Sequence, residues 1–124
     1  MNSMKILVVD DNKDFADVLC DILKSNNYMS DSCYSGKNAV GMIQKSKFDI
    51  VFLDISMPEM NGVETLKEIK KISPESKVVM MTGFPMDDLA HKAIEEKATD
   101  IIYKPFEIEK ILNLINKSKK KQSD

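Results

Sequence analysis

Five side chains with the chemistry to handle anions or hard cations each stand just after a short apolar run. Asp10 and Asp11 follow Ile6–Val9, Asp54 follows Phe48–Leu53, Thr82 follows Val78–Met81 and Lys104 follows Ile101–Tyr103. Three carboxylates brought together repel, and burial raises their pKa values unless a cation joins them. A hard divalent ion with oxygen ligands meets that need, and Mg²⁺ fits best because it takes one or two carboxylates and keeps waters and a phosphate oxygen. Mn²⁺ could substitute, whereas the absence of His and Cys from these stretches speaks against zinc and copper. A Mg²⁺ site beside a lysine suits a transferring phosphoryl group, and one carboxylate could then act as nucleophile to give an aspartyl phosphate. Taken singly, each residue has a plainer reading. Asp10-Asp11 could cap a helix, Asp54 could open a turn before Pro58, and Lys104 could be solvated. Caps and turns, however, do not require all five to follow strands.

The elements that would position them can be read from periodicity. Apolar runs at Ile6–Val9, Met29–Cys33, Phe48–Leu53, Val78–Met81 and Ile101–Tyr103 read as strands, the second polar enough to be an edge. Helical stripes lie between and after them: Phe15, Val18, Leu19, Ile22 and Leu23, with Asn12 or Asp14 as cap; Ala39, Val40 and Ile43; Val63, Leu66 and Ile69, entered through Asn61-Gly62; Leu89, Ala93 and Ile94, after Pro85; and Ile108, Ile111, Leu112 and Ile115. Strict alternation of strand and helix predicts an α/β fold, a parallel sheet with helices on both faces. Five units make a doubly wound five-stranded (βα)5 sheet, since an eight-unit barrel needs about 250 residues. In such sheets sites form at the carboxyl ends of the strands, which is where the five residues fall.

Composition narrows the function classes. With 43% hydrophobic and 31% charged residues, the chain reads as globular. Eighteen Lys and Arg against 20 Asp and Glu leave a net charge of −2, so this domain is not expected to bind nucleic acid. Cys20 and Cys33 are too few for a disulfide framework and read as reduced packing thiols. No apolar run approaches a membrane span and no signal-peptide pattern precedes Asp10, so a cytoplasmic protein without membrane association is expected. We expect one domain over 1–124, with a core over about 4–117 and a flexible basic tail at 118–124. The lone His91 reads as an exposed helical residue. The glycines match neither a P-loop, because Met42 stands where a lysine is needed, nor GxGxxG. A haloacid-dehalogenase-like phosphatase would need two aspartates one residue apart, but Asp10 and Asp11 are adjacent. A flavin-phosphate loop would be repelled by the same pair.

Four segments, VVDDN at 8–12, LDISMPEMNG at 53–62, MTG at 81–83 and YKPF at 103–106, give the chain a specific likeness. Over about residues 4–117 it resembles a bacterial two-component response-regulator receiver domain of the chemotaxis-regulator type. The resemblance implies a flavodoxin-like strand order 2-1-3-4-5. It implies Asp54 as the phosphoacceptor, Asp11 binding Mg²⁺ directly, Asp10 mainly through water, and the backbone carbonyl of Ser56 as a further ligand. Thr82 would donate to the phosphoryl group and Lys104 would pair with one of its oxygens, with a cis Lys104–Pro105 peptide setting the angle of the ammonium. Ser56 and Phe84 occupy positions that tune phosphoryl lifetime, and Phe84 is expected to shield the group from water. Ile101 stands where the family usually carries its switch aromatic, so an aromatic-coupled switch is not expected, and Tyr103 reads as a surface or interface residue. The implied role is a signalling switch, not an enzyme, apart from its own phosphotransfer and dephosphorylation. Its phosphoryl group would come from a sensor histidine kinase or phosphotransfer protein. Its output would pass through the face of the fourth helix (about 86–97), fifth strand and fifth helix to a downstream protein, a fused output domain or a second copy. A phosphorelay intermediate is the neighbouring alternative, and a Mg²⁺-dependent aspartyl-phosphate phosphotransferase or phosphatase the more distant one.

Overall fold

The structure, a computed structural model, describes residues 4–55, 57, 59–83, 92, 93, 96 and 98–122, without the side chains of 119–122. The chain alternates β1 (Lys5–Val9), α1 (Lys13–Ser25), β2 (Met29–Cys33), α2 (Gly36–Lys45), β3 (Ile50–Asp54), α3 (Gly62–Ile72), β4 (Lys77–Thr82) and β5 (Asp100–Tyr103), and continues in a C-terminal helix, Ile108–Gln122. All strand pairs are parallel and the sheet order is β2-β1-β3-β4-β5. This is the expected doubly wound architecture with the expected order. The predicted helix over about 86–97, with Leu89, His91 and Ile94, falls largely outside the described residues.

The sheet separates two apolar layers. On one face Leu7, Val9, Val51, Leu53, Val78 and Met80 pack with Ala39 and Ile43 of α2 and Leu66 and Ile69 of α3. On the other, Ile6, Val8, Ile50, Phe52, Val79, Met81 and Ile102 meet Ala16, Leu19 and Leu23 of α1 and Ile111 and Ile115 of the C-terminal helix. Alternation along each strand sends successive side chains to opposite layers, which is why the central strands are continuously apolar over Ile6–Val9, Ile50–Leu53 and Val78–Met81. β3 is buried throughout, whereas the edge strand β2 leaves Met29 and Asp31 exposed and buries Ser30 and Cys33. Phe52 is fully buried at the centre of the second layer. We expect Phe52→Ala to cost about 3–5 kcal/mol, seen as a lower midpoint in urea unfolding with an unchanged slope.

Element boundaries follow local chemistry. β3 starts at Ile50 rather than at the expected Phe48, because Asp49 ties the chain sideways to β1: its N–H donates to the Lys5 carbonyl (2.8 Å) and its carboxylate accepts from the Lys5 N–H (2.8 Å). Asn12 caps α1, accepting from the Phe15 N–H. Asn61 opens α3 in a capping box, accepting from the Glu64 N–H at 3.0 Å while the Glu64 carboxylate accepts from the Asn61 N–H at 3.1 Å. Both cysteines are buried, and burial pushes the Cys33 thiol up to about 11. Met57, Met80 and Met81 are buried in the core, the first as part of the loop after β3. No helix among the described residues is long and apolar enough to cross a membrane.

Candidate functional site

Strand register assembles the candidate residues. Val9 pairs with Leu53, so Asp10 and Asp54 leave the carboxyl ends of β1 and β3 side by side. Asp54 pairs with Met81 and Thr82 with Tyr103, which sets Thr82 and Lys104 one and two steps farther along the same rim. The Lys104 N–H donates to the Thr82 carbonyl at 2.7 Å, fixing the start of the last loop to the end of β4. All five residues singled out by type and spacing, Asp10, Asp11, Asp54, Thr82 and Lys104, thus share one end of the sheet.

One carboxylate oxygen each from Asp10, Asp11 and Asp54 lies within 4.8 Å of the others, a grouping able to hold a metal ion. Asp10 is 1% exposed, Thr82 2% and Asp54 7%, whereas Asp11 faces solvent. The Lys104 ammonium donates to Asp10 Oδ2 at 2.6 Å and stands 3.7 Å from Asp54 Oδ1. Asp10 Oδ1 accepts the Asn12 N–H at 3.0 Å, so both oxygens of this buried carboxylate are engaged. One ammonium among three carboxylates leaves an excess of negative charge at the rim. All three donors are hard oxygens, the set that suits Mg²⁺ or Mn²⁺ and not a soft metal.

One aromatic ring faces the ammonium, and a second braces that ring. Lys104 Nζ lies 4.5 Å from the centroid of the Phe15 ring, and that ring meets Phe106 edge-on, with centroids 5.9 Å apart and planes at 77°. Periodicity assigns Phe15 only to the packing stripe of α1. Its position over the lysine depends on the fold and leaves no sequence signature. The Lys104–Pro105 peptide is cis, as the resemblance implies. Ile101 is partly buried against the layer that holds Leu53 and Met80, while Tyr103 is 42% exposed. Ser56 and Phe84 lie outside the described residues.

Comparison with known proteins gives a consistent picture. A family model described as the response regulator receiver domain matches residues 6–116. The chain is 35% identical over 117 residues to the chemotaxis protein CheY of Thermotoga maritima, covering 94% of this chain and 98% of that protein. It is 34% identical over 113 residues to the transcriptional regulatory protein ZraR of Salmonella typhimurium, covering 91% of this chain but 26% of ZraR. Among solved structures, a two-component response regulator from Clostridium difficile superposes with a TM-score of 0.92, covering 98% of this chain and all (100%) of that one. At 24% identity, this last likeness speaks to fold alone.

Proposed function

The chain belongs to the response regulator receiver domain family of two-component systems, and we propose that it is a phosphoryl-accepting switch whose acceptor is Asp54. The observation that carries this reading is the clustering of the Asp10, Asp11 and Asp54 carboxylates with the Lys104 ammonium at one sheet end. Asp10, Asp11, Asp54 and the backbone carbonyl of Ser56 would hold a Mg²⁺. When bound, that ion would offset charge on the phosphoryl oxygens.

The donor we assign is a phosphohistidine of a sensor histidine kinase or phosphotransfer protein. An Asp54 carboxylate oxygen attacks phosphorus; the O–P bond forms as the P–N bond breaks, and the bonding pair stays with the donor imidazole. The product carries charge nearer −2 and more acceptor oxygens than the carboxylate it replaces. Lys104 then exchanges a carboxylate partner for a phosphoryl oxygen, and Thr82 donates its hydroxyl to another. Both residues stand at the ends of β4 and β5, so their movement would shift the outer face of β5, the C-terminal helix and the helix expected over about 86–97. A downstream protein, a fused output domain or a second copy would read that face. Ile101 lacks an aromatic ring, so the coupling runs through Thr82 and the backbone it shares with Lys104. Phe84 would shield the phosphoryl group from water.

Intact mass after incubation with acetyl phosphate tests the proposal. We expect a gain of one phosphoryl group in Mg²⁺ and none in excess chelator; a folded protein that gains nothing in Mg²⁺ would overturn it. Metal binding has its own readout. At ten to a hundred times its Kd, Mg²⁺ should stabilise the wild type by roughly 1.4–2.7 kcal/mol, measured by thermal unfolding, and Asp11→Asn should lose most of that gain.

A further inference from the structure

We infer that Phe15 is a positioning residue for Lys104, its ring face holding the ammonium at the rim while the partners of that ammonium change. The inference rests on the phosphoryl-transfer reading above. Lys104 Nζ is 2.6 Å from Asp10 Oδ2, 3.7 Å from Asp54 Oδ1 and 4.5 Å from the Phe15 centroid. The first two are the groups whose charge and ligands change when a divalent ion and a phosphoryl group arrive. The third is not. A ring face attracts a cation through its quadrupole without competing as a metal ligand or accepting a phosphoryl group.

The ring is itself fixed from both sides of the site. Its residue lies in the first turn of α1, where the Phe15 N–H donates to Asn12 Oδ1 at 3.1 Å; the N–H of the same Asn12 donates to Asp10 Oδ1 at 3.0 Å. Residues 10–15 therefore carry a metal-cluster carboxylate, a helix cap and the ring as one short braced unit. From the opposite loop, Phe106 meets the ring edge-on at 5.9 Å, two residues beyond the lysine. The start of α1 is also the positive end of its dipole, which favours the neighbouring carboxylates and disfavours an ammonium. The ring face offsets that repulsion where the lysine needs it. Without it, the ammonium, at the end of a flexible four-carbon stem, is left with Asp10 at 2.6 Å and Asp54 at 3.7 Å, the groups whose charge and ligands change.

The test replaces Phe15 by Leu and, separately, by phenylalanines carrying one, two and three ring fluorines, which weaken the quadrupole while largely keeping the shape. Initial rates of phosphoryl gain are read by intact mass in acetyl phosphate at saturating Mg²⁺, and the Lys104 ε-proton shifts by NMR. We expect Phe15→Leu to slow uptake by about two- to fivefold, the fluorinated series to fall in graded steps, and the ring-induced shift of the ε-protons to vanish in the Leu variant. Wild-type rates in the Leu and trifluoro proteins would overturn the positioning role and leave the phosphoryl reading intact. A slow Leu variant with a flat fluorinated series would also overturn it, because packing alone would then explain the loss. If the wild type gains no phosphoryl group, the functional reading falls and this role falls with it.

Discussion

Exchanging Asp54 for asparagine is expected to abolish phosphoryl uptake from acetyl phosphate in Mg²⁺, with the protein still folded. The amide keeps the size of the side chain but has no anionic oxygen to attack phosphorus. Geometry favours Asp54 over its neighbours. Both oxygens of Asp10 are engaged, one by the Asn12 N–H and one by the Lys104 ammonium. Asp11 is exposed, where water competes for any aspartyl phosphate it could form. Asp54 ends the central strand β3, between the other carboxylates and the Thr82 and Lys104 that would receive the new charge. The substitution also removes one negative charge from a crowded cluster, so in the absence of metal the variant should be at least as stable as the wild type. Intact mass and a urea unfolding curve on the same sample separate the two effects. Uptake at the wild-type rate in Asp54→Asn would place the nucleophile elsewhere and undo the assignment.

The site is legible in the sequence because its residues follow strand-like runs, and the topology of a parallel α/β sheet brings the ends of such runs together. Asp10, Asp54, Thr82 and Lys104 can be grouped on that rule alone. The order of the strands cannot be read that way. Alternating strand and helix fits several doubly wound orders, and only the resemblance carried by VVDDN, LDISMPEMNG, MTG and YKPF selects 2-1-3-4-5. Contacts between sequence-distant segments are hidden for the same reason. Phe15 sits on a helix stripe that any packing residue could occupy, and its place over Lys104 depends on how α1 and the last loop meet across the rim. Phe48 extends an apolar run, yet the pairing of Asp49 with Lys5 delays the strand to Ile50.

Gly62 is readable as a helix entry, and its second role emerges only in three dimensions. A Cβ added there would collide with the Asp54 carbonyl oxygen and stand 2.6 Å from Ile55 Cα and 3.1 Å from the Asp54 carbonyl carbon. These are backbone atoms that cannot rotate away. The Ile55 N–H donates to the Met81 carbonyl at 3.0 Å, which pins that end of β3 to β4, while the Gly62 N–H donates to the Ile55 carbonyl at 2.8 Å and ties the start of α3 to the same point. Leu66 and Ile69, fully buried, anchor the rest of the helix. Gly62→Ala is therefore expected to destabilise the fold by about 3 kcal/mol or more, the upper range for overpacking. Gly41, in the interior of α2, has nothing within 4 Å of an added Cβ, so Gly41→Ala should stabilise by about 0.5–1 kcal/mol through helix propensity alone. Urea unfolding of the two variants should give changes of opposite sign. Relief of the collision moves either α3 or the end of β3, and the second displaces Asp54 itself. The folded fraction of Gly62→Ala should then also bind Mg²⁺ more weakly than the wild type, whereas Gly41→Ala should match it. Equal stability of Gly62→Ala and wild type would mean that β3 and α3 separate more easily than their hydrogen bonds imply, and the close approach would then not be what fixes Asp54 at the rim.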